Sequence, residues 1–100
     1  MAEELISEIG ISSQGELFIR PANKTFPYIY REAMQVSWDP ALGYLYSPPP
    51  REWSHLDWFQ QICSAALEQG ADLVIGPRTK WRDVPENIRV EIIKVAKARS

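Results

Sequence analysis

Ser54 and Gly70 bracket the most sharply specified segment of the chain. Ser54 stands three residues ahead of Asp57, a near relative of the capping box, in which a hydroxyl and a carboxylate satisfy the free N–H groups of a helix's first turn. Between the brackets, Phe59, Ile62, Cys63, Ala66 and Leu67 recur at the spacing of one helix face. Asp57, Gln60, Gln61, Ser64 and Glu68 fall on the other side. The pattern predicts a helix from Ser54 to Gln69, with Gly70 as its left-handed C-cap. Burying five such side chains contributes roughly 1.5–3 kcal/mol each, so this helix is expected to be the main layer over a sheet.

The sheet is foreshadowed by short segments of period two. Ile9 and Ile11 alternate with Gly10 and Ser12, Ser12-Ser13-Gln14-Gly15 supplies turn chemistry, and Glu16 to Arg20 resumes as a strand ended by Pro21, which together predict a hairpin. Met34, Val36 and Trp38 alternate before the turn Asp39-Pro40-Ala41-Leu42-Gly43, and Tyr44-Leu45-Tyr46 leads back as a second hairpin. Between the hairpins Phe26, Ile29, Tyr30, Ala33 and Met34 take helical spacing, predicting a short helix over 26–33 with Thr25 as its cap. Asp72-Leu73-Val74-Ile75, bounded by Gly70 and Gly76-Pro77, reads as one more short strand. Asp83 is expected to cap a last helix whose Val84, Ile88, Ile92 and Val95 point inward.

The expected fold is therefore one α+β domain over residues 1–100, in the order β-β-α-β-β-α-β-α. Two hairpins and a short strand make a mostly antiparallel sheet covered by helices on one face. One hundred residues suffice for a single core, and 45% hydrophobic with 24% charged residues is ordinary globular usage. No apolar run approaches the roughly 20 residues of a membrane span, and the acidic start Met1 to Leu5 lacks the features of a secretory signal. With a single cysteine, Cys63, no internal disulfide is available, and a cytoplasmic protein is expected.

The aromatic residues carry the functional signal. All four tryptophans and all four tyrosines lie between Phe26 and Trp81. A domain this small has little interior to hold them, so part of this surface is expected to face a partner. Trp38, Tyr44, Tyr46, Trp53, Trp58 and Trp81 are the candidate binding residues, since tryptophan and tyrosine dominate binding hot spots.

Catalytic and metal chemistry finds no support in the residues. His55 is the only histidine and sits in the first turn of a helix, where the dipole disfavours its charged form. Cys63 lies about two turns away on the apolar face, too far for a nucleophile and its base, and reads as buried packing. The carboxylates Glu3 and Glu4, or Asp39 and Glu52, have nothing that fixes their separation. The five glycines form no phosphate loop, and no cofactor is implied. Pro48-Pro49-Pro50 reads as a stiff connector ahead of the helix in preference to a free polyproline ligand.

A small non-enzymatic protein-binding module, of adaptor, inhibitor or regulatory type, is the leading expectation. Its aromatic surface would come from the second hairpin and the start of the long helix. A second reading is a small-molecule pocket or minor enzyme lined by Tyr28, Tyr30, Trp38 and Tyr44, with Arg31 or His55 as polar anchor. Weak nucleic-acid binding through Lys80, Arg82, Arg89, Lys94 and Lys97 is a third, disfavoured by a net charge of −2. The first hairpin carries Glu8, Glu16 and Arg20 but no lysine or bulge signal, so its edge is expected to be open to pairing. A symmetric homodimer through that edge or through the tryptophan surface is the corresponding expectation.

Overall fold

The computed structural model describes residues 2–99. Strands β1 (Ala2–Ile11), β2 (Leu17–Pro21), β3 (Ser37–Asp39), β4 (Tyr44–Tyr46) and β5 (Ala71–Arg82) are joined by helices α1 (His55–Glu68) and α2 (Glu86–Arg99). They form one five-stranded sheet in the spatial order β3-β4-β2-β1-β5. The two expected hairpins are present, and β2 pairs antiparallel with β4 to join them. The fifth strand departs from the antiparallel expectation: β5 runs parallel to β1. Its direction follows from the connection, because α1 carries the chain from β4 across the sheet to the far edge, and a helical crossover brings a strand back in the same direction.

β5 is also much longer than Asp72 to Ile75, running twelve residues through Gly76-Pro77. Proline has no N–H for a ladder, but here it lies on an edge strand in an irregular stretch. Residues 76–79 of β5 stand between the partners of Ile6 and Glu8, opposite the single residue Ser7. Thr79 closes this excursion: its Oγ1 accepts from Gly76 N (2.9 Å) and donates to the Ile6 carbonyl (2.7 Å).

The register of β1 against β2 shifts at the same point. Ile6 and Ile9 are both fully buried in the core, which an unbroken strand forbids, since residues three apart point to opposite faces. The bulge at Ser7 restores both to the core face and turns Glu8 to the other. Ser7 Oγ donates to the Arg20 carbonyl (2.9 Å) and secures the kink.

Ile9, Leu17, Ile19 and Leu45 meet Phe59, Ile62, Cys63 and Ala66 of α1 in a single core that also takes in Ile92 of α2. Helix α1 follows the sequence pattern closely. Ser54 Oγ accepts from Asp57 N (3.2 Å), Asp57 Oδ2 accepts from Ser54 N (2.9 Å), and Gly70 terminates the helix at a φ of 88°. Helix α2 starts at Glu86, not at Asp83, which takes a left-handed φ of 55° and serves as a turn ahead of Pro85. Of its expected inward residues, Ile92 is fully buried while Val84 and Ile88 pack at the margin.

The helix expected over 26–33 is reduced to one 3₁₀ turn, Ile29–Arg31. Phe26, Ile29 and Ala33 are buried as the spacing demanded, but Tyr30 and Met34 are exposed, so the segment contributes only a narrow apolar stripe. Its cap position is Tyr28, without a side-chain hydrogen bond, and Thr25 plays no part in it. Such a stripe is too short to sustain an α-helix.

The expected open edge on the first hairpin is corrected by the topology. β1 lies between β2 and β5, and β2 lies between β1 and β4, so neither offers a free ladder. The true edges are β3, three residues long and followed by Pro40, and β5, interrupted by its irregular stretch and Pro77. Both are features that block edge-to-edge pairing.

Candidate functional site

The capping geometry of α1 places two tryptophans together. Trp53 immediately precedes the cap residue Ser54, and Trp58 is the fourth residue of the helix. These are the positions that pack as a hydrophobic staple, fixing the angle at which the chain enters a helix. The ring centroids are 4.8 Å apart with a 48° tilt. Trp58 is 7% exposed and belongs to the core, whereas Trp53 is 44% exposed. The prolines complete the surroundings: Pro48, Pro49, Arg51 and Glu52 line the same cleft as both tryptophans and Gln35, with a volume of about 670 Å³.

The cleft is held rigidly. Ser47, fully buried, exchanges backbone and side-chain hydrogen bonds with Leu17 (2.9 and 3.2 Å) and donates from Oγ to the Pro48 carbonyl (2.9 Å). His55 Nε2 lies 2.9 Å from the Gly15 carbonyl and ties the first turn of α1 to the first hairpin. The proline run is thus a wall of the cleft and not an extended ligand. His55 has a structural partner in the Gly15 carbonyl.

A second aromatic group occupies the opposite face of the sheet. Phe18 and Tyr44 stack with centroids 4.6 Å apart, and Tyr46 meets Tyr44 edge-on at 5.9 Å. Arg20 lies over the Tyr44 ring (5.6 Å from its centroid) and pairs with Glu8, whose other oxygen accepts from Arg82 Nε at 3.1 Å. Glu8 is 5% exposed, yet its charge is met from both sides. Burial and the neighbouring carboxylates of Asp39 and Glu16 push the Tyr44 phenol above its ordinary pKa, partly offset by Arg20.

The six expected binding residues therefore divide among three places. Trp53 and Trp58 share the cleft, and Tyr44 and Tyr46 share the uncovered face. Trp38 and Trp81 pack against the core, Trp38 edge-on to Phe26 at 6.0 Å and Trp81 beneath the Arg89 guanidinium at 5.3 Å. The pocket expected from Tyr28, Tyr30, Trp38 and Tyr44 does not assemble. Trp38 pairs with Leu45, on the core side, while Tyr44 points the other way. Tyr28 and Tyr30 are exposed on the 3₁₀ turn, with Arg31 over the Tyr28 ring at 4.7 Å. The basic residues are divided too, since Arg82 is engaged by Glu8 on the uncovered face and Arg89 by Trp81 from α2.

Sequence reasoning missed the Glu8 cluster and the aromatic stack beside it. A usable signal was present in the spacing of Ile6 and Ile9, which cannot both enter a core from one strand unless a bulge intervenes. Among the described residues, no three His, Cys, Asp or Glu side chains are placed to hold a metal ion, and no helix is long and apolar enough to cross a membrane.

Comparison with known proteins finds a family model, Integron Cassette Protein Hfx_Cass5, that matches residues 4–79. A solved structure described as "Structure from the mobile metagenome of North West Arm Sewage Outfall: Integron Cassette Protein Hfx_Cass5" is 47% identical, covering 97% of this chain and 98% of its own, with a TM-score of 0.49. No curated protein matches the chain. The family match over residues 4–79, more than half of the chain, establishes that the chain belongs to the Hfx_Cass5 family of integron cassette proteins.

Proposed function

We propose that this protein is a non-enzymatic binding module that receives an extended, proline-containing segment of another protein in the cleft between Pro48-Pro49 and Trp53. The observation that carries the reading is the unequal burial of the two tryptophans. Trp58 is consumed by the core, whereas Trp53 keeps 44% of its surface open at the wall of a cleft already shaped by two prolines. Grooves lined by tryptophan suit polyproline segments, which arrive already extended and so lose little entropy on docking. Arg51 and Glu52 give the cleft one charge of each sign, a rim that orients a peptide without attracting polyanions. The single cysteine is buried, which supports a cytoplasmic setting in which disulfides play no part.

The test is a proline-rich peptide array probed with the wild type and with Trp53→Ala. Removing one exposed anchor at the cleft is expected to weaken binding by about 2 kcal/mol, roughly thirtyfold, while the circular dichroism stays native. Identical array patterns from the two proteins would refute the assignment.

A further inference from the structure

One side of β5 is laddered to β1, and among the described residues no strand pairs with the other side. An edge strand turns alternate N–H and C=O groups outward, a template for one more strand. Beside this edge lies a cavity of about 510 Å³, lined by the consecutive residues 72–75. Their side chains alternate between faces: Leu73 is buried and Ile75 packs against the core, whereas Asp72 and Val74 belong to the uncovered face. A cavity that touches all four therefore meets the strand at its edge.

Helix α2 forms the opposite wall. Ile92 anchors it in the core, and Ala96 stands one turn further along the same face. A methyl group fills little of the space beside the strand, so a groove remains between them, with Phe59 of α1 at its floor. Beyond Ile75 the ladder stops, because residues 76–79 leave the register and Pro77 has no N–H. That break prevents long edge-to-edge pairing, yet it leaves a regular run of five residues, Ala71 to Ile75, ahead of it.

We propose that this groove takes a short extended segment of another protein, added to the five-stranded sheet as a further strand between β5 and α2. Such a strand satisfies the outward backbone groups, and its period of two suits a groove whose two sides differ. Residues of the segment beside Leu73 and Ile75 face Phe59 and Ala96, which selects apolar side chains. Those beside Asp72 share its face with Glu3, the β1 neighbour of Asp72. Among the described residues neither carboxylate forms an ion pair, and together they outnumber Lys97 on the helix wall. The segment therefore alternates apolar residues with lysine or arginine. The same carboxylates disfavour a nucleic acid. The groove shares no lining residue with the Trp53 cleft, so either reading can fail without the other.

The experiment is a fluorescence-anisotropy titration of a labelled, end-capped hexapeptide alternating valine and lysine with the whole protein. Two control peptides accompany it, one with glutamate in place of lysine and one with every backbone nitrogen methylated. Saturable binding of the valine–lysine peptide alone is expected, with slowed amide hydrogen exchange in residues 71–75 when it is bound. Asp72→Lys is expected to weaken binding by about tenfold or more, through like charges across the contact. Ala96→Phe fills the groove without touching the ladder and is expected to abolish binding with a native circular dichroism spectrum. Should that variant unfold, Asp72→Lys at the strand surface decides alone. Trp53→Ala is expected to leave binding unchanged. Absence of saturable binding overturns the proposal, as does equal binding of either control peptide, undiminished binding by Asp72→Lys, or binding without added protection in 71–75. Loss of binding in Trp53→Ala would assign the peptide to the other cleft and overturn it too.

Discussion

The Phe18 ring lies directly over Gly10 of the adjacent strand, occupying the place where any other residue would put its Cβ. The Arg82 carbonyl closes the same space at 3.0 Å from that position. Gly10 is therefore required for close approach and not for backbone freedom. Its absent side chain lets Phe18 tile the uncovered face beneath Tyr44.

Gly10→Ala is expected to destabilise the fold by about 1–3 kcal/mol, the usual range for forcing atoms into filled space. Urea unfolding measures the loss. Phe18→Leu in the same chain removes the obstructing ring atoms, so a double-mutant cycle should show the two changes costing less together than their sum.

The two tryptophans of the staple should separate cleanly in stability. Trp58→Ala empties a core position and is expected to cost about 3–5 kcal/mol. Trp53→Ala removes a half-exposed ring, and its cost should stay near ~1 kcal/mol, comparable to loss of the adjacent cap. Thermal and urea unfolding of the pair decides this, and equal losses would mean that Trp53 is as structural as its neighbour.

Ser54→Ala is expected to cost about 1 kcal/mol by freeing the Asp57 N–H. Asp57→Ala, which frees the Ser54 N–H, should cost a similar amount, and the double variant less than the sum, because the two bonds form one reciprocal unit.

Tyr44 links stability to alkaline pH. Its folded pKa is raised above the ordinary 10.0, by burial first and by Asp39 and Glu16 next. A raised folded value means that the folded state holds its proton more tightly than the unfolded chain does. The contribution is fully present below the unfolded pKa and is lost as pH climbs through the folded one. Stability should therefore fall more steeply above about pH 10 in the wild type than in Tyr44→Phe. Chemical unfolding at several alkaline pH values, with ultraviolet titration of tyrosinate, checks both the sign and the window.

What could be read from the chain and what could not divide along the range of the interactions. Helix α1 was readable to within a residue because its cap, apolar face and terminating glycine are all local. The strand order was not, since the place of β5 beside β1 depends on where a helical connection sets the chain down. Gly76-Pro77 signals a break in any local reading. It is accommodated here only because β5 is an edge strand, with Thr79 bonding back to Ile6. The helix expected at 26–33 failed because periodicity without a cap or sufficient length does not outweigh nucleation. For the site, the staple positions of Trp53 and Trp58 were implicit in the capping pattern. The division of Trp38 from Tyr44 was not, since it rests on hairpin register.

Nitrogen-detected proton correlation spectra, recorded during titration with a proline-rich peptide selected on the array, test most directly whether Trp53 is the anchor of a peptide cleft. The indole N–H of Trp53 should shift most, followed by Trp58, the Gln35 side-chain amide and the Arg51 backbone, while Trp38 and Trp81 stay in place. A saturating titration that moves none of the cleft resonances, or that moves Trp38 or Trp81 instead, would contradict it.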